Sequence, residues 1–299
     1  NYLMNRKSLA ILAAIAANSI YGINFTIGKN LMPEVIEPFG FSFFRISGAA
    51  VLFLLLSLFF PSEKIDRSDI LRFIACGLFG MSINMTMLFK GLSLSTPING
   101  SIIITLTPVI ILIMSAVFLK EKNTWHKYIG ISSGLIGALL LIFFGIKTQN
   151  NAANIPLGNI LFLGGAFAYS TYFIIAKPLV KKYKPITLMK WFFLIASIIS
   201  FPIGISEFTA VEWSQLFISS DFKLAFVVIG ATFFTFLLNI YALKQMQPST
   251  IGVFIYLQPI VGVLFAIIVD SYSLSPIQIG AATLIFVGVF LSTRKPKNS

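Results

Sequence analysis

Long apolar runs without a charged residue constrain the fold of this chain more than any other feature. Residues 49–60 and 98–119 are examples, and the second run alone is long enough to span a bilayer, which takes about 20 helical residues. Only 11% of all residues are charged, against about 25% in a soluble domain. A soluble globular fold is therefore excluded, and a β-barrel is disfavoured because barrel strands alternate apolar and polar residues.

The apolar pattern predicts an all-α membrane protein with ten transmembrane helices. The predicted spans are 9–28, 38–60, 70–89, 97–119, 127–146, 156–176, 187–206, 222–243, 249–269 and 275–293. The first span begins like a signal peptide, after Arg6 and Lys7, but its apolar run continues to about Gly28, beyond a usual signal-peptide core. We therefore expect this segment to remain as a membrane span.

The placement of the basic residues predicts the orientation. If the chain starts in the cytoplasm, seventeen of the 22 Lys and Arg residues fall on the cytoplasmic side. Four fall on the other side, namely Lys29, Lys90, Lys147 and Lys223, and Arg45 lies within the second span. The positive-inside rule then predicts that both termini are cytoplasmic, and the net charge of +12 indicates basic cytoplasmic loops rather than a nucleic-acid partner.

The two halves of the chain match each other in order. A shift of 151 residues aligns Leu92, Pro97, Leu106 and Pro108 with Leu243, Pro248, Leu257 and Pro259. Shifts of 148 and 150 align Tyr21 with Tyr169, Lys29 with Lys177, and Ile129-Gly130 with Ile279-Gly280. We predict a first repeat at 1–146, a linker at 147–155 and a second repeat at 156–299. Because five spans is an odd number, the repeats enter the membrane from opposite sides, which is an inverted-topology arrangement typical of transporters.

Short motifs along both halves resemble those of one family. They are Tyr21-Gly22-Ile23-Asn24-Phe25, Phe44-Arg45, Gly91-Leu92-Ser93-Leu94-Ser95-Thr96, Thr107-Pro108-Val109, Lys120-Glu121-Lys122 and Ile129-Gly130, with Tyr169, Gln258-Pro259-Ile260 and Ile279-Gly280 in the second half. In this ordered set the chain resembles the drug/metabolite transporter superfamily, in its EamA-type branch. The second half departs from the pattern after its fourth span, where Ser271 stands with Asp270 beside it in place of the expected acid.

The resemblance implies a ten-helix secondary transporter with a central cavity between the repeats. It also implies small-metabolite substrates, often amino acids or their derivatives, and commonly export. The expected location is the cytoplasmic membrane of a prokaryote, and the expected partners are a small-molecule substrate and the lipid bilayer. The sequence leaves a monomer and a dimer open.

Arg45 is the strongest candidate for contact with a substrate. It lies about eight residues into the second span, where a cation needs a counter-charge, carbonyl groups or a water-filled cavity. One interpretation is that Arg45 binds the carboxylate of a substrate. The alternatives are that its side chain reaches the membrane surface or caps a neighbouring helix end.

Other polar and aromatic side chains within the spans are predicted to line a substrate cavity, or else to form hydrogen bonds between helices. With Arg45 they make eleven candidates, the other ten being Tyr21, Asn24, Asn84, Thr105, Tyr169, Tyr172, Trp191, Asn239, Tyr256 and Gln258. Pro108 and Pro259 occupy matched positions and are predicted hinges, with a packing kink as the alternative. Several span glycines, Gly280 among them, are predicted to allow close helix packing.

The sequence favours a carrier over other functions. One cysteine and one histidine provide no metal-ligand cluster and no His-based catalytic set, so we expect no cofactor, no metal and no enzyme activity. A channel or a structural membrane protein remains the alternative. Since all ten Asp and Glu residues fall in loops or at span ends, we expect uniport or exchange rather than obligate proton coupling.

Overall fold

The computed structural model describes residues 6–29, 31, 36–95, 100, 103–143, 153–213, 222–261, 264 and 276–293. These residues form ten helical segments and no β-strand. The segments are α1 (Arg6–Lys29), α2 (Pro38–Ser57), α3 (Arg67–Leu94), α4 (Thr107–Phe118), α5 (Trp125–Phe143), α6 (Ile155–Lys182), α7 (Pro185–Thr209), α8 (Phe222–Gln245), α9 (Pro248–Val261) and α10 (Pro276–Thr293). Each segment overlaps one predicted span in chain order, while the crossing of a membrane by all ten stays a prediction.

Five segments, α2, α3, α6, α7 and α8, are long and apolar enough to cross a membrane. The outer face of α2 shows why lipid rather than water must surround them. Val51 and Leu55 are more than half exposed there, whereas Phe53 between them is fully buried. An apolar exterior around an apolar core is the arrangement of a multi-pass membrane protein, because the bilayer is the solvent that such an exterior requires.

The fourth helix of each half is interrupted at the same place. Before α4, Thr105 and Leu106 form a turn, and the Leu106 N–H donates to the Ile103 carbonyl at 3.0 Å. Tyr256, which a shift of 151 matches to Thr105, ends a 3₁₀ stretch within α9. Pro108 lies in the first turn of α4, where its missing N–H costs no helical hydrogen bond. Within the predicted span 97–119, residues 100, 103 and 104 are helical before this turn, and 97–99, 101 and 102 lie outside the described residues.

The third helix of each half contains a π-helical stretch. In α3 it covers Gly77–Ile83, and in α8 it covers Phe226–Phe234. A shift of 150 residues carries the first stretch onto the second. π-Helical turns are rare and frequently occur at functional sites. Their matched placement in both halves therefore makes α3 and α8 candidate contributors to such a site.

Helices of the first half pack against helices of the second in pairs. Helix α2 packs along α7, α5 along α10, α3 along α6 and α1 along α8. Exchanging each helix for its counterpart five positions along the chain maps this set of pairs onto itself. Such reciprocal pairing is what a two-fold axis between the halves produces.

Equivalent residues of the two halves touch each other at two of these packing contacts. Ser47 Oγ in α2 and Ser197 Oγ in α7 lie 2.9 Å apart and differ by 150 positions. Ser133 Oγ in α5 donates to the Leu284 carbonyl in α10 at 2.9 Å, and these residues differ by 151 positions. Only residues close to a two-fold axis meet their own counterparts in this way.

Hydrogen bonds between the ends of helices show which helix ends lie together at each end of the bundle. At the N-terminal end, Lys7 Nζ donates to the Thr293 carbonyl at 3.1 Å, which places the beginning of α1 beside the end of α10. At the opposite end, the Gly40 N–H at the start of α2 donates to Glu207 near the end of α7 at 2.8 Å. Helices α2 and α7 are therefore antiparallel.

Close packing of α5 and α10 depends on small residues. A Cβ atom on Gly130 would lie 2.2 Å from Ser292 Oγ, and one on Gly137 would lie 2.6 Å from the Ala281 carbonyl oxygen. The prediction that Gly280 also serves close packing is wrong. This residue is exposed on the outer face of α10, and a Cβ atom there would have no described atom within 4 Å.

Candidate functional site

A cavity lies between the two halves of the bundle. It encloses about 100 Å³ of space that the centre of a water molecule can occupy, which is room for one small organic molecule or several waters. Helices α1, α2, α3 and α4 contribute from the first half, and α6, α8 and α9 from the second. The lining residues are Tyr21, Asn24, Arg45, Asn84, Met85, Leu88, Phe89, Ile104, Thr107, Phe162, Gly165, Ala166, Tyr169, Phe236, Ile255 and Gln258.

Arg45 brings the positive charge of the cavity. Its side chain is 2% exposed, so it does not reach the membrane surface, which was one of the alternatives for this residue. Its guanidinium lies over the Phe89 ring at 4.9 Å and over the Phe41 ring at 5.7 Å from the ring centroids. Among the described residues, Arg45 has no carboxylate partner. A desolvated cation in this position favours an anionic group beside it.

The π-helical stretch of α8 holds the Arg45 guanidinium. Nε donates to Thr232 Oγ1 at 2.9 Å, and Nη2 donates to the Ala231 carbonyl at 2.9 Å. Thr232 Oγ1 in turn donates to the Val227 carbonyl at 2.7 Å, five residues earlier in the chain. These two bonds use two of the five N–H donors of the guanidinium, so further donors are left for a molecule in the cavity.

Asn24 brings an acceptor without a partner. The residue is 7% exposed, lines the cavity, and its Oδ1 atom has no hydrogen-bond partner among the described residues. A buried acceptor in this condition costs free energy until a donor reaches it. Asn24 Oδ1 is therefore complementary to a hydrogen-bond donor of a bound molecule.

Two further amides are fixed by hydrogen bonds within the cavity wall. Asn84 Nδ2 in α3 donates to the Gly165 carbonyl in α6 at 3.0 Å. Gln258 Nε2 in α9 donates to Asn18 Oδ1 in α1 at 2.9 Å. Both bonds join the two halves, so these side chains are positioned as well as polar.

Aromatic rings form the wall around Tyr21. Tyr21 meets Phe236 edge to face with ring centroids 6.4 Å apart, and Tyr169 meets the same ring at 6.5 Å. The Tyr21 hydroxyl lies close to the side chains of Tyr169, Thr235 and Asn239. The cavity therefore combines one cation, a few amides and apolar ring surface, as small-molecule sites commonly do.

Six of the eleven predicted site residues line this cavity, and five lie outside its lining. The six are Tyr21, Asn24, Arg45, Asn84, Tyr169 and Gln258. Of the others, Tyr172 is buried against Phe192 and Phe236, Asn239 is buried beside Tyr21, and Trp191 is half-buried. Thr105 and Tyr256 are buried at the interruptions of the fourth helices, near the predicted hinges Pro108 and Pro259. The roles of all eleven residues in binding and of both prolines as hinges stay predictions.

Sequence reasoning missed Thr232 and the aromatic residues Phe89 and Phe236. Thr232 is a hydroxyl in a long apolar run, the same signal that singled out Asn239, and it was available. Nothing in the sequence distinguishes Phe89 or Phe236 from the other phenylalanines, since the chain has 31 of them. Their place in the cavity wall depends on helix packing alone.

Comparisons with known proteins identify the class. The profile of the EamA-like transporter family matches the chain twice, at residues 8–143 and 156–294. The chain belongs to this family, as the resemblance in its motifs predicted, and is a transporter-like, multi-pass membrane protein.

Relatives and a solved structure agree with this membership. An uncharacterized transporter of Archaeoglobus fulgidus is 27% identical over 277 residues, which covers 93% of this chain and 96% of that protein. The uncharacterized transporter YyaM of Bacillus subtilis is 23% identical, over 96% of this chain and 94% of that protein. A solved crystal structure shares the fold, with a TM-score of 0.74 at 19% identity and 96% of each chain covered.

Proposed function

We propose that this protein is a secondary carrier that moves small metabolites, amino acids or related compounds, by alternating access through the cavity between its two halves. The observation that carries the proposal is the position of Arg45. It is a buried cation at the boundary of the halves, it lines the cavity, and it has no carboxylate partner among the described residues. A substrate carboxylate would supply the counter-charge that the fold does not.

The symmetry of the helix packing supports alternating access. The Ser47–Ser197 contact joins equivalent residues of two antiparallel helices, so a two-fold axis there runs across the helices rather than along them. With the helices upright in a bilayer, that axis lies in the membrane plane and relates two inverted five-helix repeats. Each repeat can then adopt the conformation of the other, which exposes the same site to either side in turn.

The chemistry of the cavity supports a zwitterionic or similarly amphiphilic substrate. Arg45 suits an anionic group, and Asn24 Oδ1 suits a donor such as an ammonium group. The rings of Phe89 and Tyr169 offer apolar surface beside them. Among the described lining residues there is no acid, in keeping with uniport or exchange rather than proton coupling.

The basic loops support cytoplasmic termini in a prokaryotic cytoplasmic membrane. In this orientation the N-terminal end of the bundle faces the cytoplasm, because the loops around Arg67, Lys120 and Lys182 lie there. Export is the proposed direction of net flux, since the resemblance to the family implies it. A channel is the alternative function, and its flux would not saturate.

Counterflow in proteoliposomes tests the proposal. Vesicles preloaded with one unlabelled standard L-amino acid are diluted into the same amino acid in labelled form. Each standard amino acid is tested in turn, and the measurements are repeated with the matching amides and amines, which lack the carboxylate. We expect saturable uptake above that of empty liposomes for at least one amino acid, and loss of it when the carboxylate is replaced. Flux that rises linearly with concentration, or accumulation only under an imposed pH gradient, would contradict the proposal.

A further inference from the structure

A buried charged cluster closes the N-terminal end of the bundle. Lys127 Nζ donates to Glu121 Oε1 at 2.5 Å, to Gln247 Oε1 at 2.6 Å and to Ser249 Oγ at 2.9 Å, and Ser249 Oγ donates to Glu121. The side chain of Glu121 is 3% exposed and that of Lys127 is 10% exposed. These four residues are termed the Glu121 cluster. The ion pair within it, between Glu121 and Lys127, is almost completely removed from solvent.

The Glu121 cluster joins the two halves. In the first half, Glu121 lies in the connection between α4 and α5, and Lys127 lies in the first turn of α5. In the second half, Gln247 lies in the connection between α8 and α9, and Ser249 lies in the first turn of α9. The chain turns sharply after α4 because Lys120 adopts a φ of 52°, a conformation that non-glycine residues rarely take. The Glu121 N–H donates to the Ser115 carbonyl at 3.2 Å, which closes the end of α4 and places Glu121 directly after it.

The second half of the cluster is itself anchored. Lys177 Nζ in α6 donates to the carbonyl groups of Leu243 at 2.7 Å and Met246 at 2.6 Å. These bonds fix the end of α8 and the turn that follows it to α6. Gln247 and Ser249 are therefore tied to α6 within their own half, and the contact that they make with Glu121 and Lys127 joins the two halves.

The cavity lies toward the other end of the bundle. In α1 and α3 the lining residues Asn24 and Phe89 fall within about one and a half turns of the helix ends at Lys29 and Leu94. In α4 the lining residue Thr107 is the first of the helix, and Glu121 follows its far end. The Glu121 cluster and the cavity are thus separated by the length of α4.

The cluster has no equivalent in the sequence of the second half. A shift of 150 residues, which aligns Ile129-Gly130 with Ile279-Gly280, places Ser271 opposite Glu121 and Ile277 opposite Lys127. Two exact inverted repeats would make the two access states equal in free energy. The cluster at one end makes them unequal, because opening that end breaks the charge-assisted hydrogen bonds that Lys127 and Glu121 form with Gln247 and Ser249 across the two halves.

We propose that the Glu121 cluster is a one-sided lock, which keeps the N-terminal end closed at rest and sets the population of the two access states. The inference rests on the proposed alternating access. Under the proposed export the N-terminal end is the entry side, so the empty carrier has to overcome this bias before it takes up substrate there. The cluster thereby sets how often the empty carrier opens toward the cytoplasm.

Two cysteine reporters, each in a Cys76→Ala background, test the lock in protein reconstituted into nanodiscs, where both ends are accessible. Ile111→Cys lies on α4 between the cavity and the cluster, where Ile111 is fully buried against Gly252. Leu88→Cys lies in the cavity wall. The measurement is the rate at which a hydrophilic maleimide labels each reporter.

We expect Glu121→Gln and Lys127→Met to raise labelling of Ile111→Cys by about tenfold or more, and to lower labelling of Leu88→Cys. The reversed pair, Glu121→Lys with Lys127→Glu, should return both rates toward the starting values. Lys122→Met, which removes a charge from an exposed residue of the same connection, is the matched control and should change neither rate.

Reciprocal changes distinguish a shift in population from loss of structure. If both reporters label faster in the single variants, or if neither rate changes, the lock is refuted. Counterflow of the labelled L-amino acid by the same variants separates the two proposals. Saturable counterflow with unchanged labelling rates leaves the carrier standing without the lock, whereas loss of saturable flux in the unmodified protein removes the carrier itself.

Discussion

Arg45 in α2 donates a 2.9 Å hydrogen bond from Nε to Thr232 Oγ1 in α8, and this bond crosses the boundary between the two halves. The π-helical stretch of α8 orients the guanidinium. The equivalent stretch of α3 contacts α7, and among the described residues no arginine takes part in that contact. At that equivalent contact, Gly77 packs against Phe192 and Ile195. The charge of the cavity thus breaks the symmetry of the fold at the place where a substrate would bind.

Arg45→Met should remove recognition of the anionic group. A charge-assisted hydrogen bond contributes about 1.5–3 kcal/mol, so we expect apparent affinity for a transported L-amino acid to fall by about tenfold or more. The measurement is the concentration dependence of counterflow, with Arg45→Lys as the variant that keeps the charge but not the planar donor set. Equal affinity in Arg45→Met would show that Arg45 has only a structural role.

Thr232→Val should weaken binding without removing any charge. Valine keeps the shape of threonine but leaves the Arg45 Nε–H without its acceptor, which costs about 1–3 kcal/mol. We expect a lower melting temperature and a lower apparent affinity, and recovery of both in Thr232→Ser. Thr209→Val, at an exposed threonine near the end of α7, is the control. A variant with unchanged affinity would separate Thr232 from the orientation of Arg45.

Asn24→Leu and Asn84→Leu should have opposite consequences. Asn24 Oδ1 has no partner among the described residues, so its removal should leave the melting temperature unchanged or raise it, while ligand affinity falls by about two- to tenfold. Asn84 donates to the Gly165 carbonyl, so its removal loses a hydrogen bond between α3 and α6, worth about 0.5–1.5 kcal/mol, and should lower the melting temperature. Thermal unfolding with and without the transported amino acid measures both effects. A loss of stability in Asn24→Leu equal to that in Asn84→Leu would contradict the assignment.

Gly134→Ala should destabilise the protein, and Gly280→Ala should not. A Cβ atom on Gly134 would lie 2.3 Å from the Tyr256 ring, and overpacking of this kind costs about 1–3 kcal/mol. No described atom lies within 4 Å of the Cβ position at Gly280, where the higher helix propensity of alanine favours the variant by about 0.5–1 kcal/mol. The thermal midpoints of the two variants in one detergent test this, and equal midpoints would show that the α5–α9 contact is looser than the structure indicates.

Both chain ends should be protected from an impermeant label in intact cells. In a Cys76→Ala background, the variants Arg6→Cys and Lys297→Cys should react with the label only in inside-out vesicles, and Lys223→Cys should react in intact cells. The Lys7–Thr293 hydrogen bond places α1 and α10 ends together, and the positive-inside rule assigns that end to the cytoplasm. Labelling of Arg6 and Lys297 on different sides would overturn the inverted repeat.

The sequence by itself determined the membrane class, the helix order and the relation between the halves. Long hydrophobic runs indicate that lipid surrounds the helices. The matching order of Leu92, Pro97 and Pro108 with Leu243, Pro248 and Pro259 indicates a duplication. Both inferences can be made without knowing which residues are in contact. The same local reading selected Arg45 and Asn24, because a polar group in an apolar run is costly wherever the chain places it.

Only the tertiary structure decided which polar residues share one cavity. Asn24 and Asn239 give the same signal in sequence, yet one lines the cavity and the other is buried beside Tyr21. The Glu121 cluster likewise joins residues more than a hundred positions apart, from Glu121 to Ser249. The physical reason is that local sequence fixes what a side chain costs to bury, whereas its partners depend on how helices distant in the chain cross and on the helix face that each residue occupies.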